Sequence, residues 1–536
     1  MAGKERQNYL QGAAVMTVGI LIVKILGACF KIPLGSMSLL GDEGYSHFSS
    51  AYNIYSVFLT LATAGFPIAL SRMISEADTL GKHTQVERTF RVSLVFLAAL
   101  GLASCLIMMC LPEALARYLG DEEAAEGIFV LGPAVLLVCL ISVYRGYCQG
   151  HGNMTPTAVS QVLEVLLKVP VGLLLAWWLV RRSRGLALAS AGAIFGVFIG
   201  SAGALAYLIW RKRKLYGSGR QGGESLGSGE LFADLLRIGI PITLGGCVLS
   251  LINITDNAQI LNLLQSRAGY TAQEAQVLFG IYGKVLTLYM LPTYFMTPFQ
   301  ASVVPAVSSY LAEGREEEAC GTAESALRTA TVVTLPMCLG LSVLSYAIVN
   351  VLWPGSHADG PGLLSVLGIA SFFVCLTMLT NALLQATGHE RLTLVGMAAG
   401  WGAKLLANRV LLASPAVNIY GAAVSAILCF AVMAGLNYLF LCRYLPRRPR
   451  LSRFLLRPLL SSLAMAAAAF GAYRLLAALL QPAGFTRMGT AAAMAAAIVL
   501  AVLVYLGMII FTKAVTAEDV SLMPKGDKIA KLLHLS

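Results

Sequence analysis

Two lysines lie in a stretch where a membrane helix is expected to be apolar. Lys24 and Lys31 are seven residues apart within the first apolar segment, residues 9–34, and Gly27 lies between them. In a helix these three positions share one face. Because a lysine in hydrocarbon costs at least a few kcal/mol, that face is expected to line a polar cavity. Ammonium groups in a low-dielectric cavity would suit an anionic group such as a phosphate or pyrophosphate.

A third cation, Lys284 in the eighth apolar segment, also has no acidic residue at helical spacing. We expect Lys24, Lys31 and Lys284 to form a substrate-binding set. The alternative for Lys31 is that it extends to the membrane interface, since it lies near the outer end of its segment. Lys24 lies near the middle of the segment, from where its side chain cannot easily reach the membrane interface.

Two polar residues of the second segment, Asn53 and Thr60, are seven residues apart on one helical face. They could line the same cavity as the lysines, and we include them in the predicted binding set. Hydrogen bonding between helices explains them equally well.

Other ionisable residues within apolar segments are expected to pair or to couple transport to an ion. Glu164 and Lys168 are four residues apart in the favourable order, which predicts a mutually neutralising structural pair. Asp256 lies between Asn253 and Asn257, a patch suited to holding a cation or a proton. Its alternative role is that of counter-ion to Lys404, and the sequence does not separate the two.

The composition is that of a polytopic membrane protein. Of 536 residues, 57% are hydrophobic and 12% are charged, and the mean hydropathy is +0.74. A soluble domain carries about 25% charged residues. The apolar run after MAGKERQNYL is too long for a signal peptide and lacks a small-residue cleavage site, so we expect it to be the first mature helix. No hydrophilic insert is large enough for a soluble catalytic domain.

Fourteen apolar segments are long enough to cross a bilayer as helices, which predicts an all-α fold. They lie at about 10–34, 46–70, 90–111, 127–149, 155–180, 186–210, 235–264, 276–304, 326–352, 362–386, 391–412, 418–442, 455–480 and 488–512. Basic residues concentrate in alternate loops, whereas Asp42 and Glu43 lie in an opposite loop. This bias predicts a plasma-membrane protein with both termini cytoplasmic. The basic run at 181–184 is an exception to it.

The sequence indicates an internal duplication. Four identical pairs are 237 residues apart and two are 236 apart: Tyr45 and Tyr282, Ser71 and Ser308, Glu76 and Glu313, Arg91 and Arg328, Gln149 and Gln385, Lys168 and Lys404. We expect two lobes of six helices related by an axis along the membrane normal, with the substrate path between them. The predicted parts are an N-lobe (1–210), a basic cytoplasmic linker (211–233), a C-lobe (234–443), helices 13 and 14 (444–512) and a cytoplasmic tail (513–536).

Several classes of chemistry have no sequence support. The eleven cysteines show no CxxC or Cys/His spacing, so we expect neither disulfides nor a metal site. No nucleophile–base arrangement and no phosphate-binding glycine loop stand out. We therefore expect no cofactor, no ATP and no nucleic-acid partner, with energy supplied by Na⁺, H⁺ or the membrane potential.

Four motifs resemble the bacterial polysaccharide-flippase family typified by stage V sporulation protein B and the lipid II flippases of Gram-positive bacteria. They are Gly41-Asp42-Glu43-Gly44-Tyr45, Ala64-Gly65-Phe66-Pro67-Ile68-Ala69, Tyr144-Arg145-Gly146-Tyr147-Cys148-Gln149-Gly150 and Gly239-Ile240-Pro241-Ile242-Thr243. Asp42, Glu43 and Arg145 in these motifs, with Glu164 and Lys168, are assigned gating or structural roles.

The resemblance implies the fold of the multidrug/oligosaccharidyl-lipid/polysaccharide exporter superfamily, with the last two helices forming a groove for a lipid tail. It implies that Lys24 corresponds to a basic residue of the family's cationic cavity. Lys31 lies on the same helix and is compatible with that cavity. Lys284 lies within about one helical turn of the basic site that the family has in its eighth span. Some lipid II flippases place sodium among acidic and amide side chains of helices 7, 11 and 12. In this sequence Asp256 is present in helix 7, but helix 11 carries Lys404 and Asn408. The resemblance therefore implies that the lysine ammonium takes the place of the sodium ion.

We therefore expect a monomeric, non-enzymatic flippase. It would move an undecaprenyl-pyrophosphate-linked saccharide, such as lipid II or a related cell-wall or polysaccharide precursor, from the inner to the outer leaflet by alternating access. The growth and sporulation roles of such proteins are both compatible with the sequence. One alternative is a cation- or proton-coupled multidrug exporter of the same fold. Another is a membrane glycosyltransferase, for which the outer loops are short.

Overall fold

Helices account for nearly all of the structure. A computed structural model of the protein describes residues 9–216, 226–445, 447, 452–480 and 487–512, and these contain no β-strand. Helices satisfy their own backbone hydrogen bonds, which a bilayer interior requires. The all-α prediction is thus confirmed, whereas the linker residues 217–225 and the predicted tail lie outside the described residues.

The first of two compact units consists of the chain up to Ser266 together with Tyr270–Gly280. Its helices are α1 (Tyr9–Leu34), α2 (Gly41–Thr63), α3 (Phe66–Thr79), α4 (His83–Cys110), α5 (Pro112–Leu119), α6 (Ala125–Gly150), α7 (Thr155–Arg181), α8 (Leu186–Tyr216) and α9 (Ser228–Ser266). The next helix, α10 (Ala272–Tyr289), contributes its first half to this unit.

The second unit consists of Arg267–Gly269 and the chain from Ile281 onward. Its helices after α10 are α11 (Leu291–Ala312), α12 (Glu316–Val343), α13 (Ser345–Leu352), α14 (Gly360–Ala386), α15 (Glu390–Leu411), α16 (Tyr420–Tyr444), α17 (Arg457–Leu480) and α18 (Arg487–Thr512). Helix α17 packs against α18 and α12.

The order and lengths of the helices repeat along the chain. A helix of 28 residues, a single linking residue and a helix of eight residues occur as α4–α5 and again as α12–α13. In both copies three long helices follow, first α6 to α8 and then α14 to α16. This agrees with the internal duplication. The predicted lobe boundary at 233/234 stays a prediction, since α9 packs on α2 and α3 within the first unit.

Eleven helical segments of the described chain are long and apolar enough to span a bilayer. Three of the fourteen predicted spans are not among them, namely those that correspond to α9, α10–α11 and α15. In α10 and α15, charged side chains such as Lys284 and Lys404 lower the mean hydropathy. The chain is a multi-pass membrane protein, and the count of fourteen stays a prediction.

Two spans predicted to be continuous, 46–70 and 276–304, are interrupted. The first divides into α2 and α3 at Ala64–Gly65, and Pro67 lies in the first turn of α3. Proline supplies no N–H and suits a helix start. A Cβ on Gly65 would collide with the Gly239 carbonyl oxygen, so only glycine allows α9 to approach here. The second span divides at Met290, where Pro292 opens α11.

Helix α10 begins with a capping box. The Thr271 hydroxyl accepts from the Glu274 backbone N–H at 3.3 Å, and the Glu274 carboxylate accepts from the Thr271 backbone N–H at 2.9 Å. These hydrogen bonds lower the pKa of Glu274, because they favour the charged carboxylate. The cap fixes the start of α10.

Candidate functional site: a cationic cluster on helices α1, α2 and α7

The ring of Tyr52 on α2 lies between two lysines from different helices. The Lys31 ammonium on α1 is 5.9 Å from the ring centroid, and the Lys168 ammonium on α7 is 5.0 Å from it. Both lysines are half-buried. Among the described residues, no carboxylate lies within 4.0 Å of either ammonium group. The ring therefore holds two positive charges in place without neutralising them.

A row of aromatic side chains positions this ring. Tyr45, Phe48, Tyr52 and Tyr55 follow one face of α2, with ring centroids 5.4–5.8 Å apart from one member to the next. Phe30 of α1 packs on Phe48 at 6.0 Å and also lies 5.0 Å from the Lys168 ammonium. Rings pack as rigid bodies at these separations, so the row fixes α1 against α2.

Lys24 is half-buried on α1, on the same helical face as Lys31. A Cβ built on Gly27, between the two lysines, would meet no described atom within 4 Å. The exposed apolar side chains of α1 lie on a different face: Val18, Leu21, Ile22 and Ile25. The lysine face is therefore separate from the face suited to lipid and opens onto free volume.

The predicted pair of Glu164 and Lys168 does not form. The Glu164 carboxylate instead accepts from the Arg145 guanidinium at 2.9 Å, with the side chains 21% and 13% exposed. Arg145 also donates to the Ser160 hydroxyl at 3.0 Å. An arginine from α6 reaches the carboxylate across the helix interface, and its planar donors bind a carboxylate better than an ammonium does. Lys168 is thereby left to the aromatic rings.

Glycines bring α8 against α7 at the level of these charges. A Cβ on Gly200 would collide with the Glu164 carbonyl oxygen, and one on Gly196 would lie 2.6 Å from the Lys168 carbonyl oxygen. Small residues four apart allow such close helix approach in membranes. The backbone that carries Glu164 and Lys168 is therefore held by direct contact with α8.

The two polar residues of α2 differ in their surroundings. The Thr60 hydroxyl lies 2.7 Å from the Ser250 hydroxyl of α9 and donates to the Ser56 carbonyl at 2.7 Å. This is the inter-helix hydrogen bond that the sequence left open as an alternative. Asn53 is half-buried, one residue beyond Tyr52.

The remaining predicted site residues lie outside this cluster. In the first unit Asp256 is buried on α9, and the neighbouring Asn257 donates to the Ser50 hydroxyl at 3.4 Å. In the second unit Lys284 is fully buried and donates to the Ser356 hydroxyl at 3.2 Å, with the Trp353 ring centroid 6.0 Å away.

Helix α15 carries the last two predicted site residues, both buried in the second unit. Lys404 is 7% exposed, and the side-chain amide oxygen of Asn408 accepts from the Ser425 hydroxyl of α16 at 2.6 Å. Their assignment to ion coupling stays a prediction.

Two groups of residues were missed by the sequence analysis. Tyr52 was missed although aromatics at positions 45, 48, 52 and 55 have the spacing of one helical face, a signal that the sequence does carry. The predicted residues Asp42 and Glu43 lie in the first turn of α2, and the residue missed beside Glu43 is His47, which contacts Asp121 from a separate part of the chain. A separation of 74 residues gives no pattern to find.

Comparisons with known proteins agree with this architecture. Over 540 residues, covering 99% of this chain and 98% of the relative, the chain is 30% identical to the uncharacterized membrane protein YabM of Bacillus subtilis (strain 168). It is 28% identical over 421 residues to the lipid II flippase MurJ of the same organism, covering 74% of this chain and 76% of that protein.

A solved structure, the lipid II flippase MurJ in an inward closed conformation, superposes with a TM-score of 0.66 at 15% identity and covers 93% of this chain and 99% of its own. This likeness shows a shared fold. The profile of one family, described as polysaccharide biosynthesis protein, matches residues 9–311. That match and the full-length relative confirm the resemblance drawn from the motifs: the chain belongs to the polysaccharide biosynthesis protein family.

Proposed function

We propose that this protein is a flippase for an undecaprenyl-pyrophosphate-linked saccharide, which it moves from the inner to the outer leaflet by alternating access. The observation that carries the proposal is the cluster of Lys31 and Lys168 on the Tyr52 ring, with Lys24 on the same open face of α1. The family and the named relative support the same substrate class.

The cluster has the chemistry to bind a pyrophosphate. A ring contact does not neutralise an ammonium group, whereas a carboxylate partner would occupy at least one N–H donor and neutralise the charge. In a partly buried site each charge–charge contact at about 4 Å is worth roughly 4 kcal/mol before desolvation costs. Two or three lysines therefore compensate the loss of water around an anionic head group.

The other predicted residues take supporting roles in this proposal. Asn53 and Lys284 would contact the substrate at other stages of the cycle, and Thr60 would hold α2 to α9. Asp256, Lys404 and Asn408 would respond to the coupling ion or to the membrane potential. The protein would act as a monomer in the plasma membrane, without ATP or nucleic acid, and the flipping step itself would use no cofactor.

The test is complementation of a strain that lacks its lipid II flippase. We expect the wild type to restore growth and Lys24→Ala, Lys31→Ala and Lys168→Ala to fail at equal membrane abundance. Lys214→Ala, at an exposed lysine of α8, is the matched control and should rescue. Rescue by all three site variants would remove the cluster from the mechanism, and failure of the wild type would remove lipid II as the substrate.

The alternative of a proton-coupled drug exporter needs a carboxylate that is free to bind a proton. The Glu164 carboxylate instead forms an ion pair with the Arg145 guanidinium at 2.9 Å. Drug-stimulated proton flux that is lost in Glu164→Gln would nevertheless support the exporter.

A further inference from the structure

A second cluster of ligand-type side chains lies at the start of α2. The ligand atoms of Glu43, His47 and Glu123 lie within 4.8 Å of one another. Glu43 and His47 share a helical face, whereas Glu123 belongs to the short turn between α5 and α6. The imidazole is fully buried and the Glu123 side chain is 55% exposed. The cluster is thus closed on the protein side and open toward solvent.

Asp121 fixes the orientation of the imidazole. Its carboxylate lies 2.7 Å from His47 Nδ1 and also accepts from the Gln276 side chain at 3.2 Å and the Ser46 hydroxyl at 3.3 Å. An ionised carboxylate only accepts hydrogen bonds, so Nδ1 carries the proton. In the neutral ring this leaves the lone pair on Nε2. Histidines that bind metal are held by a carboxylate in this way.

The other nitrogen, Nε2, has no satisfactory partner. It is buried and makes no hydrogen bond, although a Glu123 carboxylate oxygen lies 3.1 Å away, because that oxygen is off the hydrogen-bond direction. A buried nitrogen lone pair beside a carboxylate oxygen is unfavourable unless a cation lies between them. Ligand atoms around a zinc ion are about 3.0–3.4 Å apart, given metal–ligand distances near 2.1 Å. The separation of 3.1 Å fits that spacing.

We propose that Glu43, His47 and Glu123 bind a divalent transition-metal ion of the zinc class. One imidazole and two carboxylates suit zinc better than calcium or magnesium, which prefer all-oxygen sites. The two glutamates balance the charge of the ion, and Asp121 supports the histidine from behind. Three protein ligands leave a further position for water. The metal ties the first turn of α2 to the turn between α5 and α6. This site shares no residue with the lysine cluster and does not depend on the proposed function.

The experiment uses the purified full-length protein after chelation. We expect it to take up one Zn²⁺ or Co²⁺ per chain, with a Co²⁺ absorption spectrum of a nitrogen- and oxygen-ligated site and a Zn²⁺-dependent rise in the unfolding temperature. Glu123→Gln should weaken uptake at least about tenfold. Asp121→Asn should weaken it by about 10–100-fold, which is the usual effect of losing such a supporting group.

Glu122→Gln is the matched control, because it removes the same charge from the next residue and lies outside the three ligands. It should bind metal like the wild type. Because His47 is buried and His47→Gln could fail to fold, the proposal is tested with Glu43→Gln and Glu123→Gln, which replace the less buried ligands. Absence of stoichiometric uptake by the wild type, or equal loss in Glu122→Gln and Glu123→Gln, would overturn the proposal and leave His47 as a protonated partner of Glu123.

Discussion

Lys168 and Glu164 show how a single contact changes the role of a residue. Within α7 they have the spacing of an ion pair, yet Arg145 of α6 takes the carboxylate and Lys168 turns to the rings of Tyr52 and Phe30. The result is an acid paired with arginine and a lysine that contacts aromatic rings in place of a carboxylate. At the scale of residues, the site is built by this competition.

The ion pair itself is expected to contribute to stability. Arg145→Met should destabilise the protein by about 2–4 kcal/mol, because it leaves the Glu164 charge without its partner in a low-dielectric region. The double variant Arg145→Met/Glu164→Met should recover much of this loss. The measurement is the unfolding temperature in detergent. If Arg145→Met unfolds like the wild type, the pair is a surface contact with no structural role.

The charge of Lys168, and not its bulk, should matter for transport. Lys168→Met keeps the length of the side chain and should lower substrate flipping at least about tenfold, a loss of roughly 1.4 kcal/mol. Lys168→Arg should retain most of the activity. The check is the rate at which labelled lipid II becomes accessible in the outer leaflet. Equal activity of the Met and Arg variants would contradict the assignment.

At the scale of elements, helix contacts set the backbone positions that the side chains need. Helix α8 lies directly against the carbonyl groups of Glu164 and Lys168 because Gly196 and Gly200 carry no side chain. The same principle applies at Gly65, where α9 approaches the junction of α2 and α3. These contacts make α7 and α2 rigid supports for the cationic cluster.

A larger side chain at this contact should separate the helices. Gly200→Val should destabilise the protein by about 1–3 kcal/mol through overpacking. Gly435→Val on α16 is the control, since a Cβ there meets no described atom within 4 Å and the residue is exposed. Thermal unfolding of the two variants compares them directly. A larger effect in Gly435→Val would contradict this account of the α7–α8 contact.

The sequence predicts elements of this protein better than it predicts side-chain partners. Apolar segments of about 20 residues identify most helices because the bilayer imposes that length. The helix interruption at Ala64–Gly65 was not predicted because the sequence is equally apolar on both sides of it. Gly65 and Pro67 were the sequence signals for this interruption. The pairing of Glu164 with Arg145 could not be predicted, because it depends on the rotation of α6 against α7, which no local sequence pattern encodes.

At the scale of the whole molecule, the repeated helix order and the pairs 237 residues apart describe one duplication. Lys168 and Lys404 occupy corresponding helices of the two halves, α7 and α15. Their surroundings differ: Lys168 is half-buried against aromatic rings and Lys404 is buried. Under the proposed function, this difference would let the first half bind the anion and the second half respond to the energy source.

The predicted cytoplasmic placement of both termini can be tested by cysteine labelling. With the exposed cysteines Cys29 and Cys110 replaced by serine, a cysteine at Glu122 should react with a membrane-impermeant maleimide in intact cells. A cysteine at Lys214 should react only after permeabilisation. This outcome is expected because the basic-residue bias predicts that orientation. The reverse pattern would invert the topology and the predicted direction of transport.

The central claim is that an anionic lipid-linked sugar is moved by this chain through its cationic cluster. The most direct measurement is transfer of fluorescent lipid II across the bilayer of proteoliposomes that contain the purified protein. We predict transfer above protein-free vesicles, at least about tenfold slower with Lys31→Met/Lys168→Met and unchanged with Lys214→Met. Transfer at the wild-type rate by the double variant, or no transfer by the wild type under any imposed ion gradient or potential, would contradict the account.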